Sequence, residues 1–176
     1  MKKGPDSFWW RLAMLLLPAV LIACFSCADS DDDEEIRRLI EKGAGLAEAH
    51  DIGGILDLGT RDLIAVPGDL NRTEIKGVLW RAFAHYGRLK VLYPRPEVEI
   101  EADPSRAAAR FPFLIVSKDK AFPDLEKLTE NTLAWVREVG QSTDLYRLTL
   151  QLVKQKGAWR VNLVHLERFT GTQFRE

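Results

Sequence analysis

Apolar and polar positions repeat with two different periods along this chain, and the change of period divides it. From Ile36 the period is helical. Ile36, Leu39, Ile40, Gly43, Ala44 and Ala47 fall on one face, with Arg37, Arg38, Glu41 and Lys42 on the other. Asp33 to Glu35 stand where acids favour the positive end of that helix dipole. The pattern breaks at His50-Asp51. Asp51 reads as the N-cap of a short second helix carrying Ile52, Ile55 and Leu56, with Gly59 as its stop. Thr60 to Leu70 read as a loop, with Pro67-Gly68 as a turn signal. Asn71-Arg72-Thr73-Glu74 is a capping-box variant. It opens a third helix, in which Ile75, Val78, Leu79, Ala82, Phe83 and Tyr86 recur at three-and-four spacing, and Gly87 ends it.

The period then becomes two. Lys90 to Tyr93 predict a short strand. Val98 and Ile100 alternate with Glu97, Glu99 and Glu101, an acidic face expected to be solvated and to discourage edge pairing. Ala107, Ala109, Phe111, Phe113 and Ile115 share one face of a long strand, where Pro112 signals an edge or a bulge. Residues 118–141 read as an insertion, with a helix over Leu125 to Val139. The clearest signal is a hairpin: Leu145 to Gln155 alternates, Lys156-Gly157 turns, and Ala158 to Phe169 alternates again. Strict alternation puts Trp159, Val161, Leu163 and His165 on one face. Arg160, Asn162, Val164, Leu166 and Arg168 fall on the other. Helices followed by a meander of strands make an α+β order.

The chain has 176 residues, 46% hydrophobic and 29% charged, with a formal net charge of −1. Those values suit one folded domain and exclude a disordered chain. Near-neutral charge argues against nucleic acid as a partner. The two cysteines, Cys24 and Cys27, precede the folded part, which excludes a disulfide-stapled core and a Cys-based zinc site.

Lys2, Lys3 and Arg11, then an apolar run from Leu12 to Ala23, have the form of a secretory signal. The run is too short to span a bilayer as a helix, which needs about 20 apolar residues. Leu21-Ile22-Ala23-Cys24 resembles the lipobox of bacterial lipoproteins. The resemblance implies cleavage before Cys24 and acylation of its thiol and amine. The competing reading is an ordinary signal cut nearby, or an uncleaved anchor. Cys27 lacks the aliphatic residue three places before it. The expected organisation is a signal peptide over 1–23, an extended acidic tether over 24–35, the domain over 36–170 and a tail over 171–176. Phe25, not Asp, follows Cys24, which on the sorting rule of enteric bacteria favours the outer membrane, facing the periplasm.

Within the domain, Glu35 to Ile40 and His50-Asp51-Ile52 through Leu56 resemble the opening of NTF2-like domains, also called SnoaL-like or cystatin-like α+β cones. Lys156-Gly157-Ala158-Trp159-Arg160-Val161 resembles their last hairpin. The resemblance implies three N-terminal helices packed on a curved, mostly antiparallel sheet that wraps a pocket. The 118–141 insertion departs from the compact pattern, so it either covers the cone mouth or decorates an edge. The family contains isomerases, dehydratases and non-enzymatic proteins, so fold does not fix function.

Family enzymes work with Asp, His and Tyr pointing into the cone, and acid–base chemistry needs such a group in reach of substrate. The Ala107 to Ile115 face has no polar member. His165, on the more apolar strand face, is the best single candidate for acid–base work; the competing reading is a half-buried histidine satisfied by a neighbour. His85 suits the negative end of its helix, and His50 sits at a helix junction. The three histidines share no metal-ligand spacing, so no metal is expected, and no cofactor pattern occurs. Trp80, Tyr86, Trp135, Tyr146 and His165 are the candidate ligand-binding residues, although Trp80 and Trp159 equally suit core or rim packing. Tyr93 lies near a pocket or on a strand surface. The leading expectation is a membrane-anchored, non-enzymatic lipoprotein. Its domain would bind a small apolar ligand or an envelope protein partner, and homodimerisation is plausible. One alternative is an isomerase or dehydratase using His165. Another is a structural subunit of an envelope complex.

Overall fold

The computed structural model describes residues 31–117, 144–169 and 174–175. The signal segment, Cys24, Cys27, the 118–141 insertion with its expected helix, and Trp135 lie outside the described residues. Helix α1 covers residues 31–48, α2 Ile52–Asp57 and α3 Arg72–Tyr86. The strands are β1 (Gly59–Val66), β2 (Leu89–Leu92), β3 (Glu97–Ile100), β4 (Arg106–Ser117), β5 (Leu145–Gln155), β6 (Ala158–Phe169) and β7 (Phe174–Arg175). They form one curved sheet in the order β1-β6-β5-β4-β2, with β3 also on β4 and β7 on β6. All pairs are antiparallel except β1 with β6. Among the described residues, no helix is long and apolar enough to cross a membrane.

The helices pack on one face of the sheet. Ile36 and Ile40 of α1, Leu56 of α2 and Leu63 of β1 meet Ala107, Ala109 and Phe111 of β4. Leu150, Leu152, Trp159 and Val161 complete this core. The expected apolar face of β4 is therefore the one turned to the helices. Beyond Phe111 the other face becomes apolar too. Leu114, Val116 and Leu145 are buried there, with Leu92 and Phe169 against them. Pro112 sits inside the sheet, opposite Arg147 of β5. On its other side β3 pairs only to Arg110 and β2 only from Leu114. Pro112 thus falls in a gap of the ladder, where a missing N–H costs nothing.

Local capping follows the sequence. The Asp51 side chain accepts from Gly54 N at 2.8 Å. Asn71 and Glu74 form the full capping box, and Gly87 caps α3 at φ 57°. Lys156 and Gly157 both have positive φ, 53° and 81°, as the two-residue hairpin turn that matches strand twist demands.

Four expectations need correction. Residues 31–35 are helical rather than an extended tether, because their acids find partners. Asp32 accepts from Lys154 Nζ at 2.5 Å and from Trp159 Nε1 at 3.0 Å, and Asp33 pairs with Arg37. Residues 60–66 are strand, not loop. Leu63 is buried, and Ile64 to Val66 run parallel to Leu163 to His165. Gly59 does not stop α2, which Leu58 caps; it opens β1 where Leu63 folds back. A Cβ there would stand 2.7 Å from the Leu63 side chain. The 171–176 tail contributes β7, which pairs with Arg168 and Phe169.

Candidate functional site

The decisive local feature is a bulge in β6. Leu152 pairs with Val161, but Gln151 pairs with Leu163, so Asn162 is an extra residue. One inserted residue exchanges the faces beyond it. Trp159 and Val161 point to the helices, and so do Val164, Leu166 and Arg168. His165 falls on the other face, opposite Thr149 and beside Val66 of β1. The expectation that His165 shares a face with Trp159 and Val161 is therefore overturned.

On the helix-facing side, one cross-strand row builds a polar cluster. Phe113, Tyr146 and Arg168 are direct partners across β4, β5 and β6. Phe113 and Tyr146 stack with centroids 5.4 Å apart. Asp144 lies two residues before Tyr146. Tyr86, the last residue of α3, reaches down to meet them. Its hydroxyl donates to Asp144 Oδ2 at 3.0 Å and lies 3.2 Å from the Tyr146 hydroxyl. A phenol has one proton, and Tyr86 gives its own to Asp144. Tyr146 therefore donates to Tyr86, and the Tyr146 oxygen keeps free acceptor capacity. Arg168 Nη2 binds the other Asp144 oxygen at 2.5 Å.

The electrostatics keep the Tyr86 phenol neutral. Burial, then the Tyr146 and Asp144 hydrogen bonds and charges, push the Tyr86 hydroxyl far above the ordinary phenol range. The Asp144 hydrogen bond raises Arg168 above its ordinary value. The cluster is half-buried, with the Arg168 side chain reaching solvent. Next to it the helix-facing surface is apolar through Phe113, Phe111 and Tyr93, whose ring lies 5.4 Å from that of Phe111. Phe111 is buried under the helices, while the Phe113 ring stays half-buried beside the polar cluster.

Tyr86 and Tyr146 are thus brought together as ligand candidates. His165 is on the opposite face. Trp80 is 66% exposed on α3 rather than packed, because the apolar stripe that includes Ile75 faces the core and Trp80 stands beside it. His50 stacks on Phe83 at 4.7 Å, and His85 meets the edge of Tyr86 at 4.9 Å. Trp159 is core, at 3% exposure. Asp144 and Arg168 escape sequence reading. The Asp-x-Tyr spacing across the start of β5 is the one signal that places Asp144 on the face of Tyr146. No group of metal-ligating side chains occurs among the described residues.

No protein-family model and no curated protein matches the chain. Solved structures do. An NTF2-like protein with a cystatin-like fold from Novosphingobium aromaticivorans is 18% identical, with a TM-score of 0.57 over 97% of this chain and 94% of that one. A protein of unknown function with a cystatin-like fold from Nostoc punctiforme is 12% identical, at TM-score 0.58 over 78% and 90%. An NTF2-like protein of unknown function from Pseudomonas putida is 17% identical, at TM-score 0.58 over 78% and 86%. Helices packed on one face of a curved sheet, closed by a last hairpin, give this chain the NTF2-like, cystatin-like fold.

Proposed function

We infer that the chain is a bacterial envelope lipoprotein, held to a membrane through Cys24. Its NTF2-like domain binds a small, largely apolar molecule without transforming it. One observation carries the binding reading: the hydroxyls of Tyr86 and Tyr146 converge with Asp144 beside the half-buried ring of Phe113. The ligand's apolar body lies against the Phe113 ring, and its one polar group meets the Tyr146 oxygen. The same geometry speaks against turnover. A general acid or base works best with a pKa near the operating pH, and Tyr86 is shifted away from it. Arg168 keeps Asp144 engaged as an ion-pair partner, and His165 is across the sheet. The lipobox-like Leu21-Ile22-Ala23-Cys24 supports the anchor and the periplasmic address.

Native mass spectrometry of the full chain, extracted from its membrane in mild detergent, tests the binding reading. The wild type is expected to carry a co-purifying small molecule, and the Tyr86→Phe/Tyr146→Phe double variant to lose it while staying folded. A bare wild-type chain, under conditions that keep a control protein's ligand bound, overturns it.

A further inference from the structure

Trp80 exposes 66% of its surface, a large share for so big an apolar side chain. It stands on the outer stripe of α3 with Thr73, Lys76, Gly77 and Arg81, and Ile52 of α2 walls a shallow groove beside it. The groove measures about 400 Å³. Its floor is open because Gly77 has no side chain; a Cβ there would meet nothing within 4 Å. The three-and-four spacing puts the indole between a lysine one turn earlier and an adjacent arginine. Neither Lys76 nor Arg81 has an ion-pair partner among the described residues. Three of the five acids at the start of α1 are already engaged: Asp32 by Lys154, Asp33 by Arg37, and Glu34 by Arg37 and Arg95.

An exposed indole flanked by cations with no ion-pair partner among the described residues has the chemistry of a headgroup boundary. Aromatic rings concentrate at that depth, and cations are drawn to anionic lipid. The anchor would bring such a surface close. Six residues separate Cys24 from Asp31. Even fully extended, that tether reaches only about 25 Å. At so short a reach, a weak surface affinity becomes an intramolecular contact at high effective concentration. We propose that the Trp80 stripe of α3 rests on the anionic headgroup surface of the membrane that holds Cys24. The inference depends on the lipoprotein reading above.

The test uses the lipidated full chain in phosphatidylcholine vesicles, with or without brominated phosphatidylglycerol. The Trp80 emission is isolated by subtracting a Trp80→Phe variant. It is expected to be largely lost in the brominated anionic vesicles. It should recover in a Lys76→Glu/Arg81→Glu variant and at high salt, which screens exposed charges. Suppose Trp80 stays unquenched while the intact mass shows Cys24 acylated and the protein floats with the vesicles. The anchor then stands and this contact is wrong, whether a second copy or a small amphiphile covers the stripe instead. A chain with unmodified Cys24 that fails to float removes the anchor reading, and this inference with it.

Discussion

The Asp32 carboxylate lies between the ammonium of Lys154 and the indole N–H of Trp159, and Lys154 also stands over the Trp159 ring at 5.6 Å. Burial pushes its pKa up, but the two hydrogen bonds and the Lys154 charge outweigh burial and hold it below 3.8. The hydrogen bond that Lys154 gives to Asp32 in turn raises Lys154. A carboxylate whose folded pKa lies below its unfolded one contributes stability above the unfolded value. That contribution is lost as pH falls through the folded value. Amide protection at residues 31–35 is therefore expected to hold at neutral pH and to fall in acid below the ordinary 3.8. Asp32→Asn should show the weakened protection at neutral pH. Equal protection in both proteins across that range would show that the contact does not hold α1. Residue-scale reading of the sequence found the caps Asp51, Asn71 and Gly87, because caps are local. It missed the roles of Asp32, Asp144 and Arg168, because each takes its meaning from a partner on another element.

The bounds and turn of the β5–β6 hairpin were legible, since alternation and a Lys-Gly turn are contiguous signals. Gly157 sits at φ 81° with open space around it, so conformation alone decides what a side chain would do there. Gly157→Ala is expected to cost about 1–2 kcal/mol, the usual penalty of the left-handed region for an L-residue. Urea unfolding of the two proteins measures it, and an unchanged midpoint would contradict the turn assignment. Strand β1 was not legible. Between Gly59 and Ile64 it gains three residues on β6, which erases the alternation that reveals strands. The bulge at Asn162 was equally silent, because an alternating pattern runs through it without a break. That single insertion separates His165 from the tyrosines and decides which side chains form the candidate site.

At the scale of the whole molecule, helices before a meander sufficed to give the α+β cone, and solved structures share it. The proposed anchor belongs to the intact chain. Cys24→Ser is expected to move the protein from the membrane fraction to the soluble one, leaving an unlipidated mass. A variant that still sediments with membranes would point to another anchor. The parallel β1–β6 pair carries a different consequence. Its strands lie roughly a hundred residues apart in the chain, so the sheet closes through a non-local contact of the kind that slows folding. β1 waits for β6, and β5 waits with it on the other side. During that interval both strands expose unpaired edges, which invite pairing with other chains. The nascent domain is most exposed to aggregation in the time between making β1 and making β6.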